Sequence, residues 1–321
     1  MRGSTRGQTL HLMNTSGIKH IGESKFDAKN SARVALATEG RSATSTNIAE
    51  KTGIYSITTM ENFRGKWQEL FSHTKGEHGL KDLEKLNGQH VAEFLAYKIE
   101  LGVSYSHWSG YASAFNKLEN ALNSYSDKFD RGNEYSFRSV IEELRAEAKT
   151  ELPRFEGTRD YDNPGRLIGA IGNESHRLVA QIQYESGLRL AGASRISETQ
   201  LRGLGLDRYT GKEVGRIDYI GKGGKPGTAQ VSPATYRQLV AHIGASGELR
   251  VGANSYRASL KSAAQATGQT YNGSHGLRWD FAQERFSELQ STGAGYEKCL
   301  GVVSDELGHN RIEITLHYLG K

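Results

Sequence analysis

The chain has 321 residues, with 41 Lys and Arg against 36 Asp and Glu, and the resulting formal net charge of +5 favours a polyanionic partner. Its length allows two domains, and its single cysteine, Cys299, excludes an internal disulfide and a thiolate-rich metal site. Because the sequence lacks a run of about 18 apolar residues and an apolar stretch after Met1, it predicts a soluble cytoplasmic protein without a membrane span or signal peptide.

Residues 1–50 differ in composition from the helical pattern that follows them. They are rich in Ser, Thr, Gly, Asn and charge and have weak periodicity, which predicts an extension or arm with little core of its own. From Thr58 onwards, behind a threonine cap, apolar side chains recur at helical spacing, and these helices predict a small all-helical domain over residues 51–152. Its apolar stripe is interpreted as core packing and includes Met60, Phe63, Trp67, Phe94, Leu95, Trp108, Tyr111, Phe115, Leu118, Leu122 and Ile141.

Two of the four prolines, Pro153 and Pro164, bracket an aperiodic stretch, which predicts a linker over residues 153–163. The remaining residues, 164–321, predict a second domain of helices interrupted by a β-hairpin, whose turn contains the glycine pair at 223–224. The expected fold class is therefore mainly α, with a helical N-terminal domain and a mostly helical C-terminal domain that holds a small antiparallel hairpin or sheet.

Four fragments of the second domain carry charged or nucleophilic side chains. In GASRISETQL, Arg195 precedes Glu198 by three residues, a spacing that on a helix is usually an intrahelical ion pair. In the hairpin, Lys222 lies at the end of a strand beside the turn, where a lysine is usually a solvated edge residue. Neither fragment indicates a function by itself.

The other two fragments combine histidine with arginine or tyrosine. In SHGLRWDFA, Ser274 is placed to cap a helix, and His275 and Arg278 share one face of its first turn, an arrangement suited to binding a phosphate. In LGHNRIEITLHYLG, His309 precedes Tyr318 by nine residues, which on one continuous helix would point the two side chains to opposite sides.

A predicted break in that last fragment removes the objection. Asn310 and Glu313 have the spacing of a capping box, so a final helix is expected to begin at about Arg311. His309 then lies before the helix and is free to fold back towards Tyr318. Taken alone, Tyr318 is more simply explained as an interfacial aromatic of an amphipathic C-terminal helix.

In their number, order and spacing, these residues resemble the tyrosine recombinase (phage integrase) family. The resemblance covers the chain from about residue 165 to its end. The helical domain at 56–150 resembles the family's SAM-like, DNA-clamping N-terminal domain, whereas the first 50 residues match nothing. The matching segments are Arg195-Ile196-Ser197-Glu198, Gly221-Lys222-Gly223-Gly224-Lys225, His275-Gly276-Leu277-Arg278, and Leu307-Gly308-His309 with Tyr318.

The sequence departs from the family pattern at three places. Arg189, in YESGLR, also follows a glycine turn and is an alternative to Arg195, which we prefer because of its Glu198 and its shorter distance to the hairpin lysine. Trp279 stands where many relatives have His. Three residues follow Tyr318, whereas many relatives carry a further helix that docks on a neighbouring protomer, so the coupling between protomers stays open.

The resemblance implies DNA strand exchange through a 3′-phosphotyrosyl intermediate. Arg195 and Arg278 are expected to bind the non-bridging phosphate oxygens, because a guanidinium fork matches those oxygens bidentately and keeps its charge. His309 would add a further hydrogen bond to the phosphate. The pentavalent phosphorus would thus be surrounded by fixed donors.

The resemblance also assigns the groups that move protons. Tyr318 is expected to be the nucleophile, with His275 as its base or orienting group, and Lys222, in preference to Lys225, would protonate the leaving 5′ oxygen. Because arginine and lysine carry the positive charge and acidic ligands are not clustered, no cofactor and no metal are expected. Zinc held by His275 and His309 is disfavoured, since cysteine or acidic companions are missing at ligand spacing.

The expected partner is double-stranded DNA with a specific recombination site, enclosed between the two domains. Exchange cuts two sites on two strands, so the family implies a homotetramer on DNA and allows a monomer in solution. Accessory DNA-bending proteins are compatible with this scheme. The candidates for DNA contacts, each equally explained as a solvated surface residue, are Arg64, Lys66, His107, Lys117 and Lys225.

The preferred function is a site-specific recombinase that serves as the integrase of a mobile element, a choice that rests on the unassigned first 50 residues. An Xer-like resolvase of replicon dimers is the nearest alternative. A type IB topoisomerase would share the nucleophile without exchanging partners, and a DNA-binding relative without catalysis would never attach to DNA through Tyr318. A metal-dependent nuclease is the least favoured, and EDTA-insensitive cleavage would exclude it.

Overall fold

The chain divides into two compact units, Met1–Phe155 and Glu156–Lys321, and each has a hydrophobic core of its own. Both units are mainly helical, and the second contains small antiparallel sheets, which confirms the expected fold class. The boundary between the units falls inside the range 153–163. The structure, a computed structural model, describes residues 1–221, 224–309 and 312–320, with the backbone alone at Glu313 and Ile314.

The first unit is built from helices that begin behind polar caps. Ser56 Oγ accepts a hydrogen bond from the backbone N–H of Thr59 at 3.2 Å, so the cap of the fourth helix lies two residues before the predicted cap at Thr58. The sequence pattern missed this first turn because its apolar stripe starts only at Met60. The helices are α1 (Thr5–Thr15), α2 (Lys25–Thr38), α3 (Ser45–Lys51), α4 (Ile57–His78), α5 (Gly88–Glu100), α6 (Tyr105–Lys128) and α7 (Arg138–Glu151), with a 3-10 helix at Leu83–Lys85.

The aromatic stripe of this unit is its core, as predicted. Trp67 and Trp108 are fully buried, and Phe115 packs with them. The indole N–H of Trp67 donates to the carbonyl of Ala114 at 2.8 Å, and that of Trp108 donates to Leu95 at 3.1 Å. Because each buried indole N–H has an acceptor, the aromatic side chains are held in place by packing and by hydrogen bonds together.

The first 50 residues are not an arm without core packing, which corrects the sequence-based expectation: α1 belongs to the core of the first unit, and Ala32, Leu36 and Ile48 of α2 and α3 form a small separate cluster. Leu12 and Met13 of α1 are fully buried in the core of the first unit. The Gln8 amide donates to the Lys81 carbonyl at 2.8 Å and accepts from the Leu83 N–H at 2.8 Å. Helix α1 is therefore anchored by two apolar side chains and by polar bonds, and hydrophobic periodicity does not register polar bonds.

The second unit contains a three-stranded antiparallel sheet, β2-β3-β4, and a two-stranded antiparallel pair, β1-β5. The predicted hairpin is β3 and β4, in which Tyr219 pairs with Gly227. Its elements are α8 (Pro164–Gly169), α9 (Glu174–Ser186), α10 (Leu190–Ala193), β1 (Arg195–Ser197), β2 (Leu201–Leu206), β3 (Glu213–Ile220), β4 (Pro226–Val231), α11 (Pro233–Ser246), β5 (Glu248–Arg250), α12 (Ala253–Thr267), α13 (Gly276–Ser291), α14 (Tyr296–Glu306) and α15 (Glu313–Tyr318), with a 3-10 helix at Glu198–Gln200.

Helix α13 lies between two apolar clusters of the second unit. Its Leu277 packs in one cluster, and Trp279 and Phe281 pack in the other. His275 is the N-cap residue, and no side chain caps the helix, so the predicted cap at Ser274 was one residue too early. Because the first turns of α13 are buried on both sides, the side chains that they carry have little freedom to move.

Among the described residues, no helix combines the length and the apolar character that a membrane crossing requires.

Candidate active site

Three segments of the second unit converge on Tyr318, which is 5% exposed. Its hydroxyl oxygen lies 2.9 Å from Nε2 of His275 and 3.4 Å from Nε of Arg278. The ring of His309, in the turn before α15, is 5.4 Å from the Tyr318 ring between centroids. The structure therefore brings these four predicted side chains together. Asn310, on which the predicted capping box depends, lies outside the described residues.

Arg278 is the centre of this cluster and is 2% exposed. Its Nη1 donates to the carbonyl of Gly187 and its Nη2 donates to the carbonyl of Leu307. Nη2 also lies 3.1 Å from Nε2 of His309. Within the described ranges Arg278 has no carboxylate partner. A buried cation held by neutral acceptors keeps a full positive charge for an incoming anion.

Both histidines of the cluster are held neutral. Burial lowers the pKa of His275 to about 4 and that of His309 to about 3, and the charges of Arg278 and Arg189 lower both further in the same direction. Nδ1 of His309 is buried and has no hydrogen-bond partner among the described residues. A neutral imidazole has one donor and one acceptor nitrogen, so each histidine is able to accept one hydrogen bond at neutral pH.

The aromatic wall behind Tyr318 is formed by Trp279. The two rings lie 5.1 Å apart between centroids, and His317 packs edge-on against Trp279 at 4.8 Å. Gln283, one turn further along α13, donates to the Tyr318 carbonyl at 3.2 Å. The residue at which this sequence departs from the family pattern therefore helps to hold α15 against α13.

The structure separates the two candidates for the first arginine. Arg195 is 68% exposed, and its Nε donates to Glu248 Oε2 at 3.3 Å across the β1-β5 pair. Arg189 is half-buried at the start of α10, and its charge acts on Arg278, His275 and His309. Arg189, not Arg195, lies with the cluster, because the pairing of β1 with β5 places Arg195 beside Glu248.

Comparison with known proteins bears on the fold. No family model matches the sequence, and no curated protein matches it. Two solved complexes of the XerH site-specific recombinase, one bound to a palindromic difH substrate after cleavage and one bound to difH substrate before cleavage, are similar to the chain. Each has a TM-score of 0.59 and 16% sequence identity, over 99% of this chain and 93% or 94% of the XerH chain. The chain has the tyrosine recombinase fold.

Within the tyrosine recombinase fold, the hairpin carries the predicted lysines. Lys222 lies outside the described residues. Lys225 is half-buried, and its positive charge contributes to the lowered pKa of His309. A Cβ placed on Gly308, directly before His309, would lie 3.6 Å from the hydroxyl of Tyr219 on β3. The hairpin thus reaches the turn that carries His309.

The candidate DNA contacts of the first unit do not share one environment. Lys66 Nζ lies 5.1 Å from the centre of the Tyr111 ring, and the exposed His107 ring packs at 5.0 Å from the same ring. Arg64 is half-buried on α4. Of these candidates, Lys66 and His107 therefore form a joint surface on α4 and α6 of the tyrosine recombinase fold.

Lys117 does not belong to a DNA-facing surface, which corrects its assignment as a phosphate contact. Its side chain is 7% exposed, and its ammonium donates to the carbonyls of Ala49, at 2.6 Å, and Thr52. Burial lowers its pKa to about 8. The spacing along α6 predicted a solvated position, whereas the C-terminal end of α3 and Thr52 cover it.

Two buried residues near the site were not predicted from the sequence. Asp280 follows Trp279 on α13 and accepts from the Tyr161 N–H at 2.9 Å. Tyr161 is 3% exposed, although it lies in the predicted linker. A tyrosine and a buried acid at such positions have no motif of their own, so only the three-dimensional packing connects them to the cluster around Tyr318.

Proposed function

We propose that the chain is a site-specific DNA recombinase that breaks and rejoins double-stranded DNA through a covalent bond between phosphate and Tyr318. The observation that carries this proposal is the Tyr318 hydroxyl, which lies between His275 Nε2 and Arg278 Nε. The similarity to XerH, a site-specific recombinase solved with difH substrate before and after cleavage, supports DNA as the partner.

The hydrogen bonds of the cluster assign the role of His275. A guanidinium only donates, so Arg278 Nε donates to the Tyr318 oxygen and leaves the hydroxyl hydrogen directed at Nε2 of His275. His275 is neutral, since burial keeps its pKa near 4, and its Nε2 therefore accepts this hydrogen bond. His275 is therefore the group that takes the phenolic proton as Tyr318 attacks.

His309 is placed to donate a hydrogen bond to the phosphate. Because Arg278 Nη2 donates to His309 Nε2, the ring proton of His309 lies on Nδ1. Nδ1 lacks a partner among the described residues, and a non-bridging phosphate oxygen would accept from it. Arg278 and Arg189 would add charge-assisted donors to the same phosphate. We assign the first arginine role to Arg189 in place of Arg195.

The resulting reaction balances without an external energy source. The Tyr318 oxygen forms a bond to phosphorus while the bond from phosphorus to the 5′ oxygen breaks, and the phenolic proton passes to His275. The leaving 5′ oxygen takes a proton from a hairpin lysine, for which Lys222 is our choice over Lys225. Attack by a 5′ hydroxyl of the partner strand reverses these steps, so the phosphodiester energy is retained in the covalent intermediate.

The buried state of the cluster adds one requirement to this mechanism. Tyr318 and Arg278 are 5% and 2% exposed, so a phosphodiester can reach them only if neighbouring groups move. The last helix, α15, is short, with six residues from Glu313 to Tyr318. We propose that DNA binding opens the cluster by shifting this helix.

The biological role divides into two candidates. The role as integrase of a mobile element depends on an unassigned N-terminal arm, but residues 1–50 contribute α1 to the core of the first unit. The likeness to XerH extends over 99% of this chain, which favours an Xer-like resolvase of replicon dimers as the second candidate. In both roles we propose a homotetramer on a specific DNA site, a monomer in solution and, where the site requires them, accessory DNA-bending proteins.

The test is covalent trapping on the protein's own recombination site, selected by binding from fragments of its source DNA. A duplex with a nick near the cleavage position prevents religation, so the intermediate accumulates. Wild-type protein, Tyr318→Phe and the control Tyr296→Phe would be compared on a denaturing gel with EDTA present. We expect a DNA-linked protein band for wild type and Tyr296→Phe, and none for Tyr318→Phe.

The other outcomes are equally informative. Tight DNA binding by all three proteins without a covalent band would favour a DNA-binding role without catalysis. A band that persists in Tyr318→Phe would show that another tyrosine is the nucleophile. The selected site also separates the two roles, because a resolvase should select a site within a replicon and an integrase should select the ends of an element.

A further inference from the structure

We propose that Tyr161 and Asp280 are positioning residues for His275, which they hold against Tyr318 through residues 158–161, here called the entry segment. This inference rests on the proposed function, because it assigns His275 the role of proton acceptor. The entry segment directly precedes α8 and belongs wholly to the second unit. Four sets of contacts connect it to the two side chains that share the phenolic proton.

The first contact is a close approach at the residue after His275. A Cβ placed on Gly276 would lie 2.6 Å from the Tyr161 ring and 2.7 Å from the carbonyl oxygen of Arg159. Real Cβ atoms do not approach other atoms so closely, so only glycine allows the entry segment to lie on the first turn of α13. The position of His275 is thereby linked to that of Tyr161.

The second set of contacts fixes the turn that leads into His275. The Tyr161 hydroxyl donates to the carbonyl of Gly273 at 3.0 Å and accepts from the N–H of Asn272 at 3.2 Å. The Asn272 side chain donates to the carbonyl of Asp160 at 2.7 Å. These three bonds leave the loop before α13 few alternative conformations, because each uses a backbone group of the loop or of the entry segment.

The third contact anchors the entry segment to α13 itself. Asp280 lies one turn beyond Gly276 and is 5% exposed, and its Oδ1 accepts from the N–H of Tyr161 at 2.9 Å. The same helix therefore carries both His275 and the acceptor that holds Tyr161. A displacement of the entry segment would need this bond to break, in a region that water does not reach.

The fourth contact involves the other partner of the proton transfer. A Cβ placed on Gly320, two residues after Tyr318, would lie 2.9 Å from Cγ2 of Thr158. The charge of Arg159 also contributes to the lowered pKa of His275. The entry segment therefore lies beside the end of α15 as well as beside the start of α13, and it bears on both residues of the pair.

The protonation state of Asp280 determines how firmly this anchor holds. Its Oδ2 is buried without a partner among the described residues, as is Oδ1 of Asp160. Burial raises the pKa of Asp280 to about 8. The other titratable groups that face it are Asp160 and Asp162 from the entry segment and its continuation, Glu284 from α13, Tyr184 from α9, and Tyr161. Burial and those three acidic groups together oppose its ionisation, so the neutral form of Asp280 is favoured at pH 7.

Ionisation of Asp280 would place a second negative charge beside Asp160 in a buried site. We therefore expect the entry segment to loosen above about pH 8, which would slow proton transfer from Tyr318. Asp280→Asn keeps an acceptor for the Tyr161 N–H and stays neutral at every pH. Asp280→Ala removes the acceptor, and Tyr161→Phe removes only the two hydroxyl bonds to the loop.

The experiment measures single-turnover formation of the covalent complex on the nicked substrate, together with DNA affinity and thermal unfolding of each variant. Tyr161→Phe and Asp280→Ala should slow the covalent step by about tenfold or more while DNA affinity changes by less than about twofold, since small misplacements of a reacting group slow catalysis strongly. Asp280→Asn should react at about the wild-type rate at pH 7 and should not lose activity above pH 8 as wild type does.

A double-mutant cycle with His275→Ala distinguishes positioning from a general loss of structure. If Tyr161 acts through His275, then Tyr161→Phe should slow the wild-type protein but have little further effect in the His275→Ala background. The matched control is Tyr236→Phe, which loses a hydroxyl that accepts from the Gly203 N–H at 2.7 Å elsewhere in the same unit. The control should leave the covalent step unchanged.

Three results would overturn the inference. They are wild-type rates in both Tyr161→Phe and Asp280→Ala, an Asp280→Asn variant as slow as Asp280→Ala, or additive effects of Tyr161→Phe and His275→Ala. If Tyr161→Phe is unfolded at the assay temperature, the comparison of Asp280→Asn with Asp280→Ala decides alone. A wild-type protein that binds DNA but never forms the Tyr318-dependent complex would remove the proposed function and this inference with it.

Discussion

Helix α13 carries two buried arginines whose positive charges lie in opposite environments. Arg285 forms ion pairs with Asp207 at 2.9 Å, Glu288 at 2.6 Å and Glu306 at 2.8 Å, which together outweigh its single positive charge. Arg278, two turns earlier, donates only to carbonyls, a histidine and a tyrosine among the described residues. One environment neutralises the guanidinium, and the other leaves its charge in excess.

The difference separates an arginine that is neutralised by carboxylates from one that has no carboxylate partner among the described residues. The carboxylates around Arg285 raise its pKa despite burial, whereas burial and the charge of Arg189 lower the pKa of Arg278. A positive site without a counter-ion is costly to bury, and it persists where a negative ligand completes it. The phosphate of DNA would be that ligand under the proposed function.

The largest effect is expected at Arg278. Arg278→Lys keeps a positive charge but removes the planar donor set, and we expect covalent-complex formation to fall by about 100-fold to 1000-fold. Thermal stability should fall only moderately, because the buried carbonyls of Gly187 and Leu307 lose a donor but no carboxylate loses a cation. A single-turnover assay and a thermal melt check the two parts, and a large loss of stability would contradict this account of the Arg278 site.

Arg285 should show the reverse pattern. Arg285→Ala leaves Asp207 and Glu306 without a cation among the described residues, whereas Glu288 keeps Lys212 at 2.7 Å. We expect the free energy of unfolding to decrease by about 3–5 kcal/mol. Chemical denaturation would measure this decrease. Under conditions where the variant is folded, the rate of covalent-complex formation should stay near that of wild type. A loss of catalysis without a loss of stability would show that Arg285, like Arg278, acts in the reaction.

The next largest effect is expected at the second phosphate-binding arginine, for which Arg189 and Arg195 are the candidates. We expect Arg189→Ala to slow formation of the covalent complex by about 100-fold, since the substitution removes one charge-assisted hydrogen-bond donor to the phosphate. Arg195→Ala should change the rate by less than about threefold, because Arg195 is exposed and paired with Glu248. Equal effects of the two substitutions would show that Arg195 also takes part in the reaction.

Acid should destabilise the two regions over different pH ranges. The folded pKa values of about 4 for His275 and about 3 for His309 lie below the ordinary value of 6.5, so the unfolded chain binds more protons as pH falls from about 6.5 to 4. This histidine contribution to stability is present above pH 6.5 and is lost towards pH 4. Around Arg285, the lowered pKa values of Asp207 and Glu288 give a contribution to stability that is lost only below their ordinary values of 3.8 and 4.5. Burial raises the pKa of Glu306, so its contribution has the opposite sign and lies above pH 4.5.

A matched variant isolates the histidine contribution. In His275→Asn/His309→Asn, denaturant unfolding should show a loss of stability between pH 6.5 and 4 that is smaller than in wild type by on the order of 2 kcal/mol. The comparison is needed because the raised pKa of Asp280, about 8, gives a contribution of opposite sign that increases stability as pH falls from 8 towards 3.8. Identical pH dependence in both proteins would contradict neutral, buried histidines.

The smallest effect concerns the lysines of the first unit. Lys66→Ala should reduce the salt dependence of DNA binding by about one released counterion, because Lys66 lies on the joint surface with His107. Lys117→Met should leave the salt dependence unchanged, since its ammonium is bonded to the carbonyls of Ala49 and Thr52. A change in salt dependence for Lys117→Met would show that this lysine reaches DNA.

The sequence was sufficient for features that depend on local spacing. Helical periodicity predicted the core of the first unit at Trp67 and Trp108, and the three-residue step from His275 to Arg278 predicted that both side chains share one turn of α13. The hairpin was readable because turn glycines lie between strand-like flanks. In each case the physical cause acts within a few residues along the chain, so a single sequence records it.

Features that depend on packing between distant segments were beyond the sequence. Proximity along the chain favoured Arg195, yet the pairing of β1 with β5 places it beside Glu248, and Arg189 lies with the cluster. The position of Lys117 along α6 predicted a solvated helix face, but the C-terminal end of α3 and Thr52 cover it. Helix α1 joined the first core through Leu12 and polar bonds, although its region had the composition of an arm.

The contact between Trp279 and Tyr318 makes the nucleophile optically observable. Trp279 is one of three tryptophans in the chain, and the other two, Trp67 and Trp108, are buried in the first unit. With both of those replaced by phenylalanine, all tryptophan emission would come from the ring 5.1 Å from Tyr318. Stopped-flow fluorescence could then time the departure of α15 from α13 during DNA binding without any attached label.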